Sequence, residues 1–218
     1  MCRFVSAPPH DCGYAAACES GCDAPPTLPQ GVAEDVVKGL YRHSTHEAGE
    51  AGDQRGRVRL LGSGAILREV IAAAELLASD WRVASEVWSA TSFSELAREA
   101  EAVQRWNRLH PRQAARRSHL QCCLPGTAPV IAATDSVRAW PQRIGEHLDA
   151  GFTALGTDGF GRSDTRRALR RFFEVDRHHV VLAALCALKE QGGVDAAVCQ
   201  QAIERYGIEA DAAAAWQR

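Results

Sequence analysis

The stretch at residues 57–79, RVRLLGSGAILREVIAAAELLAS, decides the fold. Its first six residues, RVRLLG, read as a short buried strand. The remainder, AILREVIAAAELLAS (65–79), places Leu67, Val70, Ile71, Ala74 and Leu77 at helical spacing. Gly62 and Gly64 lie between the two periods and form a tight strand-to-helix turn. A dinucleotide fingerprint, G-x-G-x-x-G, needs a third glycine where Leu67 stands. Ser63 is not in a G-x-S-x-G elbow, because position 61 is leucine, and no G-x-x-x-x-G-K-[ST] occurs anywhere.

Working outward, the same alternation recurs. ASEVWSA (84–90) is a second strand. Ser92 and Glu95 form an S-x-x-E capping box that opens a helix running through Trp106. HLQCCL (119–124) reads as a short strand and APVIAAT (128–134) as a buried one. A helix from Ser136 is disturbed by Pro141, and FTALG (152–156) is the next strand. Asp176 caps a helix bearing Val181, Leu185 and Leu188, and a last helix, 195–206, stops at Gly207. Short apolar strands alternating with helices predict a mostly parallel sheet covered on both faces.

Ahead of this body the pattern changes. Residues 1–30 hold five of the nine prolines and half of the eight cysteines, and are expected to be a poorly ordered lead-in. Residues 31–42 are expected to form a short helix and 43–56, HSTHEAGEAGDQRG, a linker. The domain proper is placed at 57–218. His10, Cys12, Cys18 and Cys22 lack paired C-x-x-C spacing, so incidental thiols are favoured over a metal site. Cys186 and Cys199 read as small core residues.

At 218 residues with a net charge of −2, the chain lacks the basic excess of a nucleic-acid binder. No apolar run approaches bilayer-spanning length, and a cytoplasmic location is expected. Five scattered tryptophans point to core or interface packing. His178 and His179 are adjacent, so they do not share a helix face, and a partly exposed pair is expected. Arg166, Arg167, Arg170 and Arg171 form a basic stripe, read either as a solvated face or as a contact for an acidic partner.

The segment LGTDGFGRSDTRRALRRFF (155–173) joins a glycine-rich loop to an arginine-rich helix. Such loops often hold phosphate. Here Asp158 and Asp164 bring negative charge to the helix start, and Ser163 is positioned to cap it. Gly156, Gly159 and Gly161 permit positive φ or close approach. The expected role is a shaped turn presenting Phe160 and Arg162, so Asp158, Phe160, Arg162, Ser163 and Asp164 are the candidate interface residues. No catalytic, cofactor-binding or metal residue is assigned.

LLGSGAILREVIAAAELL (60–77), DWRVASEVWSATSFSELAREAEAVQRWNRLHP (80–111), VIAATDSVRAW (130–140) and LGTDGFGRSDTRRALRRFFEVDRHHVVLAAL (155–185) closely resemble the C-terminal domain of the homodimeric pyruvate dehydrogenase first component. The resemblance runs from about Pro26 to Arg218. It implies an α/β fold: a three-layer αβα arrangement around a largely parallel five-stranded sheet of the transketolase C-terminal type. It also implies an enzyme that decarboxylates pyruvate and passes acetyl to lipoamide, using thiamine diphosphate and magnesium in domains ahead of this one. The thiamine motif ends in paired asparagines, whereas this sequence has one asparagine, Asn107. The family's Asn-Glu-Asn-Tyr stands here as Ser20-Gly21-Cys22-Asp23, although Pro26, Leu28, Pro29 and Gly31 remain.

The expectation is therefore a truncated or split C-terminal domain that binds no cofactor alone and serves subunit interface and assembly. Its expected partners are the thiamine-binding domains, a second copy or the dihydrolipoyl acyltransferase component. The alternatives are a non-catalytic interaction module and a residual fragment.

Overall fold

A computed structural model describes residues 30–49 and 54–217. The expected lead-in and its His10, Cys12, Cys18 and Cys22 lie outside the described residues. Five strands carry the architecture: β1 (Leu40–His46), β2 (Arg57–Gly62), β3 (Ala84–Ala90), β4 (Val130–Ala133) and β5 (Phe152–Leu155). They lie in the order β1-β3-β2-β4-β5. The pairs β3–β2, β2–β4 and β4–β5 are parallel, while β1 pairs antiparallel with β3.

The strand period sorts side chains between two layers. Val58, Leu60, Val87 and Ile131 face α2 (Leu67–Trp81), α7 (Arg177–Glu190) and α8 (Ala196–Tyr206), where Val70, Leu77, Val181 and Leu185 close the core. Leu61, Trp88, Val130 and Ala132 face the other way. There they meet Phe93 and Leu96 of α3 (Phe93–Leu109), Leu120 of α4 (His119–Cys123) and Ile144 of α5 (Ala139–Gly145). Burying each Leu or Val contributes about 1.5–3 kcal/mol. Helices on both faces of a mixed sheet make the expected three-layer α/β architecture.

Local chemistry explains the boundaries. A Cβ on Gly62 would stand 2.7 Å from the Cα of Leu67, so strand and helix approach closely only because this residue is glycine. Gly64 has φ +55° in the 3-10 turn that follows. Asp176 caps α7 by accepting the N–H of His179 at 3.0 Å, and Gly207 ends α8 in the left-handed conformation. Ser92 accepts the Glu95 N–H at 3.2 Å, but the Glu95 carboxylate binds Arg98, so only half of the expected box forms. Pro141 falls in the first turn of α5, where its missing N–H breaks no helical bond.

Two expectations are corrected. The linker reading of 43–56 gives way at its start, because β1 extends through His46 after a short α1 (Ala33–Lys38). This strand is polar because it lies at the sheet edge, and a bulge between Arg42 and Ser44 breaks its alternation. HLQCCL is helical rather than extended. Ser118 and Gln121 form a complete capping box there, with Gln121 N–H to Ser118 Oγ at 3.2 Å and Ser118 N–H to Gln121 Oε1 at 3.0 Å. The histidine pair is partly exposed, as expected, and both rings have partners. The His179 ring meets Asp176 at 2.7 Å, and His178 stacks on Tyr206 with centroids 4.5 Å apart.

Candidate interface at the carboxyl end of the sheet

The connections from β2 and β4 leave in opposite directions, since β2 leads through α2 to β3 and β4 leads through α5 to β5. Such a reversal opens a crevice outside the carboxyl ends of the strands. Three loops bound it: 63–66, 134–138 and 156–165. Backbone bonds stitch them together, with Ser63 N–H to Ala133 O at 3.1 Å, Thr134 N–H to Leu155 O at 3.1 Å and Thr157 N–H to Ser136 O at 2.9 Å. The Thr157 hydroxyl adds a bond to Asp135 O at 2.8 Å.

Asp158 turns inward. Its carboxylate accepts the backbone N–H of Arg138 at 2.9 Å and the Arg138 Nε–H at 2.5 Å. Partial burial pushes this carboxyl up, but the two bonds and the charge from Arg138 outweigh it and hold it below the usual range. The Arg138 guanidinium also lies over the Trp216 ring, 4.6 Å from its centroid. One arginine thus joins the loops after β4 and β5 to the C-terminal 3-10 turn.

The glycines divide by role. Gly159 has φ +110°, and a Cβ there would meet Trp216 Cα at 3.1 Å. Gly156 needs no positive φ; its backbone is simply crowded, because a Cβ would lie 2.7 Å from Ser136 O. Gly161 has neither constraint. The turn presents Phe160 with 90% of its surface exposed. Arg162 folds back over Phe172, with its guanidinium 4.2 Å from the ring centroid.

The capping assignment to Ser163 is corrected. The helix α6 (Arg166–Phe172) begins later, and Thr165 caps it by accepting the Ala168 N–H at 3.3 Å. Asp164 precedes the cap and accepts the Thr165 N–H at 2.6 Å instead of occupying the first helical position. Ser-Asp-Thr offers three successive capping side chains, and the backbone selects the third, which alone has extended geometry followed by helical residues.

The five candidate residues therefore share one loop but not one role. Asp158 builds the loop, Phe160 projects from it, Arg162 lines a pocket beneath it, and Ser163 and Asp164 lead into α6. Unforeseen were Arg138, Val137, Trp140 and Trp216. The last three are about half exposed and, with Phe160, make four of the six large exposed hydrophobics among the described residues. Trp140 and Trp216 had looked merely scattered, because only the strand order brings their segments to the same end of the sheet. Among the described residues no group of three or more His, Cys, Asp or Glu is arranged to hold a metal ion.

Fold and surface together define a doubly covered α/β domain that offers an apolar patch at the carboxyl end of its strands. A family model described as the transketolase-like TK C-terminal domain matches residues 39–176, and the chain belongs to that family. Among curated relatives, the "Pyruvate dehydrogenase E1 component" of Cupriavidus necator is 49% identical over 185 residues, covering 84% of this chain and 20% of the relative. The protein of the same name from Pseudomonas aeruginosa is 47% identical over 186 residues, covering 84% of this chain and 21% of the relative. The chain thus spans about a fifth of the length of these relatives. Among solved structures, a transketolase from Leishmania mexicana aligns with a TM-score of 0.46 at 22% identity, covering 75% of this chain and 20% of that one. No described helix is long and apolar enough to cross a membrane.

Proposed function

We propose that this chain acts as the C-terminal domain of a pyruvate dehydrogenase first component, serving subunit interface and assembly while other domains carry the chemistry. The supporting observation is the 49% identity over 185 residues to one end-domain's worth of a much longer enzyme. The expected reaction of the assembled enzyme is decarboxylation of pyruvate with acetyl transfer to lipoamide in the cytoplasm. The partners in this reading are the thiamine-binding domains of the same enzyme, in the same or a second copy. Docking of the acyltransferase component is a further expectation.

The residues present do not fit a thiamine diphosphate site. The one asparagine, Asn107, has both side-chain atoms committed, donating to Arg116 O at 2.9 Å and accepting the Arg116 N–H at 2.8 Å. No catalytic step is therefore assigned to this chain. In this reading the exposed Val137, Trp140, Phe160 and Trp216 dock against a neighbouring domain, since large apolar side chains gathered at one end of a domain mark interaction surfaces.

The test is reconstitution. The thiamine-binding portion of the Cupriavidus necator relative is produced without its matching C-terminal region and mixed with this chain. Co-sedimentation and restored pyruvate decarboxylation are the expected results. Absence of any complex at tens of micromolar would overturn the reading.

A further inference from the structure

The arginine stripe is solvated at Arg166, Arg167 and Arg171, and Arg170 is half-buried. It forms one wall of a cleft of about 490 Å³ between α2, α6 and the start of α7. Arg166, Arg167, Arg170 and Arg171 face Arg177 across it, with Glu69 at the base. Glu69 is only 5% exposed. It accepts from Arg170 Nη1 at 2.7 Å, Arg177 Nε at 2.9 Å and the Arg177 backbone N–H at 3.1 Å.

A carboxylate buried this far costs several kcal/mol in lost hydration unless cations and hydrogen bonds replace it. Burial raises the Glu69 carboxyl, and the bonds and charges of Arg177 and Arg170 bring it below its ordinary value, so it is ionised near neutral pH. One negative charge thereby fixes two guanidiniums at the floor of a concavity. Asp176 is the second carboxylate of the lining, and it already caps α7 and pairs with His179. Five arginines stand against these two acids, an excess of three positive charges. Cations gathered in a cleft focus the field and attract counter-ions far more strongly than the same charges on a flat surface.

We propose that this cleft is a binding site for a small polyanion carrying two or more phosphate-like or carboxylate groups. Guanidiniums recognise such groups through paired, parallel N–H bonds. The site borders the pocket beneath the glycine loop and shares Arg166 and Arg170 with it, but no residue of the loop itself lines it. It also gives α6 a purpose. This helix buries no residue of its own and is fastened to the body by the Arg170–Glu69 pair and by Arg171 bonding to the Gly207 carbonyl. A polyanion held between α6 and α7 would tighten that attachment.

The experiment is calorimetric titration of the full chain with inorganic pyrophosphate at low ionic strength, beside a polyglutamate peptide. The expected result is saturable one-to-one pyrophosphate binding below millimolar concentration. Arg167→Glu should weaken it at least tenfold, and Arg167→Gln by a smaller factor, with melting curves matching the parent. Arg143→Gln, on the opposite layer and paired with Glu101 at 2.7 Å, should leave it unchanged. Lack of saturable binding at several millimolar overturns the proposal, as does binding that survives Arg167→Glu. A peptide that binds through Arg167 while pyrophosphate does not would overturn it too, assigning the cleft to an acidic protein surface.

Discussion

Arg138 grips both carboxylate oxygens of Asp158, one through its backbone N–H at 2.9 Å and one through Nε at 2.5 Å. The two residues leave different strands, yet together they set the height of the loop that carries Phe160. Charge-assisted bonds of this kind contribute about 1.5–3 kcal/mol when partly buried. Asp158→Asn should therefore lower stability by about 1–2 kcal/mol. The sign of its pH dependence follows from the lowered Asp158 value. The unfolded chain binds more protons than the folded one, so the contribution is fully present above the ordinary carboxylate value near ~4 and is lost as pH falls through the folded value. Urea midpoints between neutral and strongly acidic pH should fall less steeply in Asp158→Asn than in the parent. Equal slopes would show that the pair contributes nothing.

Gly159 and Gly161 make a controlled comparison. Gly159→Val forces a β-branched residue to φ +110° and against Trp216, and should cost on the order of 1–3 kcal/mol or more. Gly161→Ala meets no neighbour within 4 Å and should change stability by under about 0.5 kcal/mol. Chemical denaturation of the two variants gives the answer, and a similar cost at both sites would contradict the loop geometry.

Phe160 contributes almost nothing to the isolated domain, because 90% of it is already in water. Phe160→Ala should shift the melting midpoint by no more than about a degree or two while weakening docking by on the order of tenfold or more. Sedimentation with and without the thiamine-binding portion measures the second effect. A large loss of monomer stability with docking intact would reverse the assignment.

The chain by itself should not decarboxylate pyruvate when supplied with thiamine diphosphate and magnesium. Asn107, the one asparagine, is tied to Arg116, and the described residues offer no metal cluster. Turnover by the purified chain that scaled with its concentration would refute this.

What could be read in advance follows from burial. The strands β2, β3 and β4 were legible because central strands of a covered sheet are apolar on both faces, and β5, though it lies at the other edge, because its residues FTAL are mostly apolar. β1 was not, because an edge strand keeps one face in water and its residues, LYRHSTH, look like a loop. α4 was mistaken for a strand because five residues hold too little periodicity to separate the two states, although Ser118 and Gln121 carried a capping signal. The role of Phe160 as a projecting side chain was visible in its glycine flanks. The partner of Asp158 was not, since nothing in a sequence marks which arginine twenty positions earlier will lie beside it. The cleft was half legible: the stripe could be counted, but not its pairing with Glu69, a hundred residues away.

The reversed run of β1 has a consequence for chain connectivity. Because β1 is antiparallel to β3, Leu40 lies beside Ala90, at the carboxyl end of the parallel strands. The backbone passing through α1 therefore reaches the sheet on the same side as Phe160 and Trp216. Only about 20 Å separates them laterally, four strand spacings of roughly 4.8 Å. Any domain joined covalently ahead of α1 is tethered within reach of the docking patch, at an effective concentration that short linkers raise to the millimolar range. In that arrangement even a patch of weak intrinsic affinity stays occupied, whereas the same chain supplied separately must be present at a concentration that matches its dissociation constant.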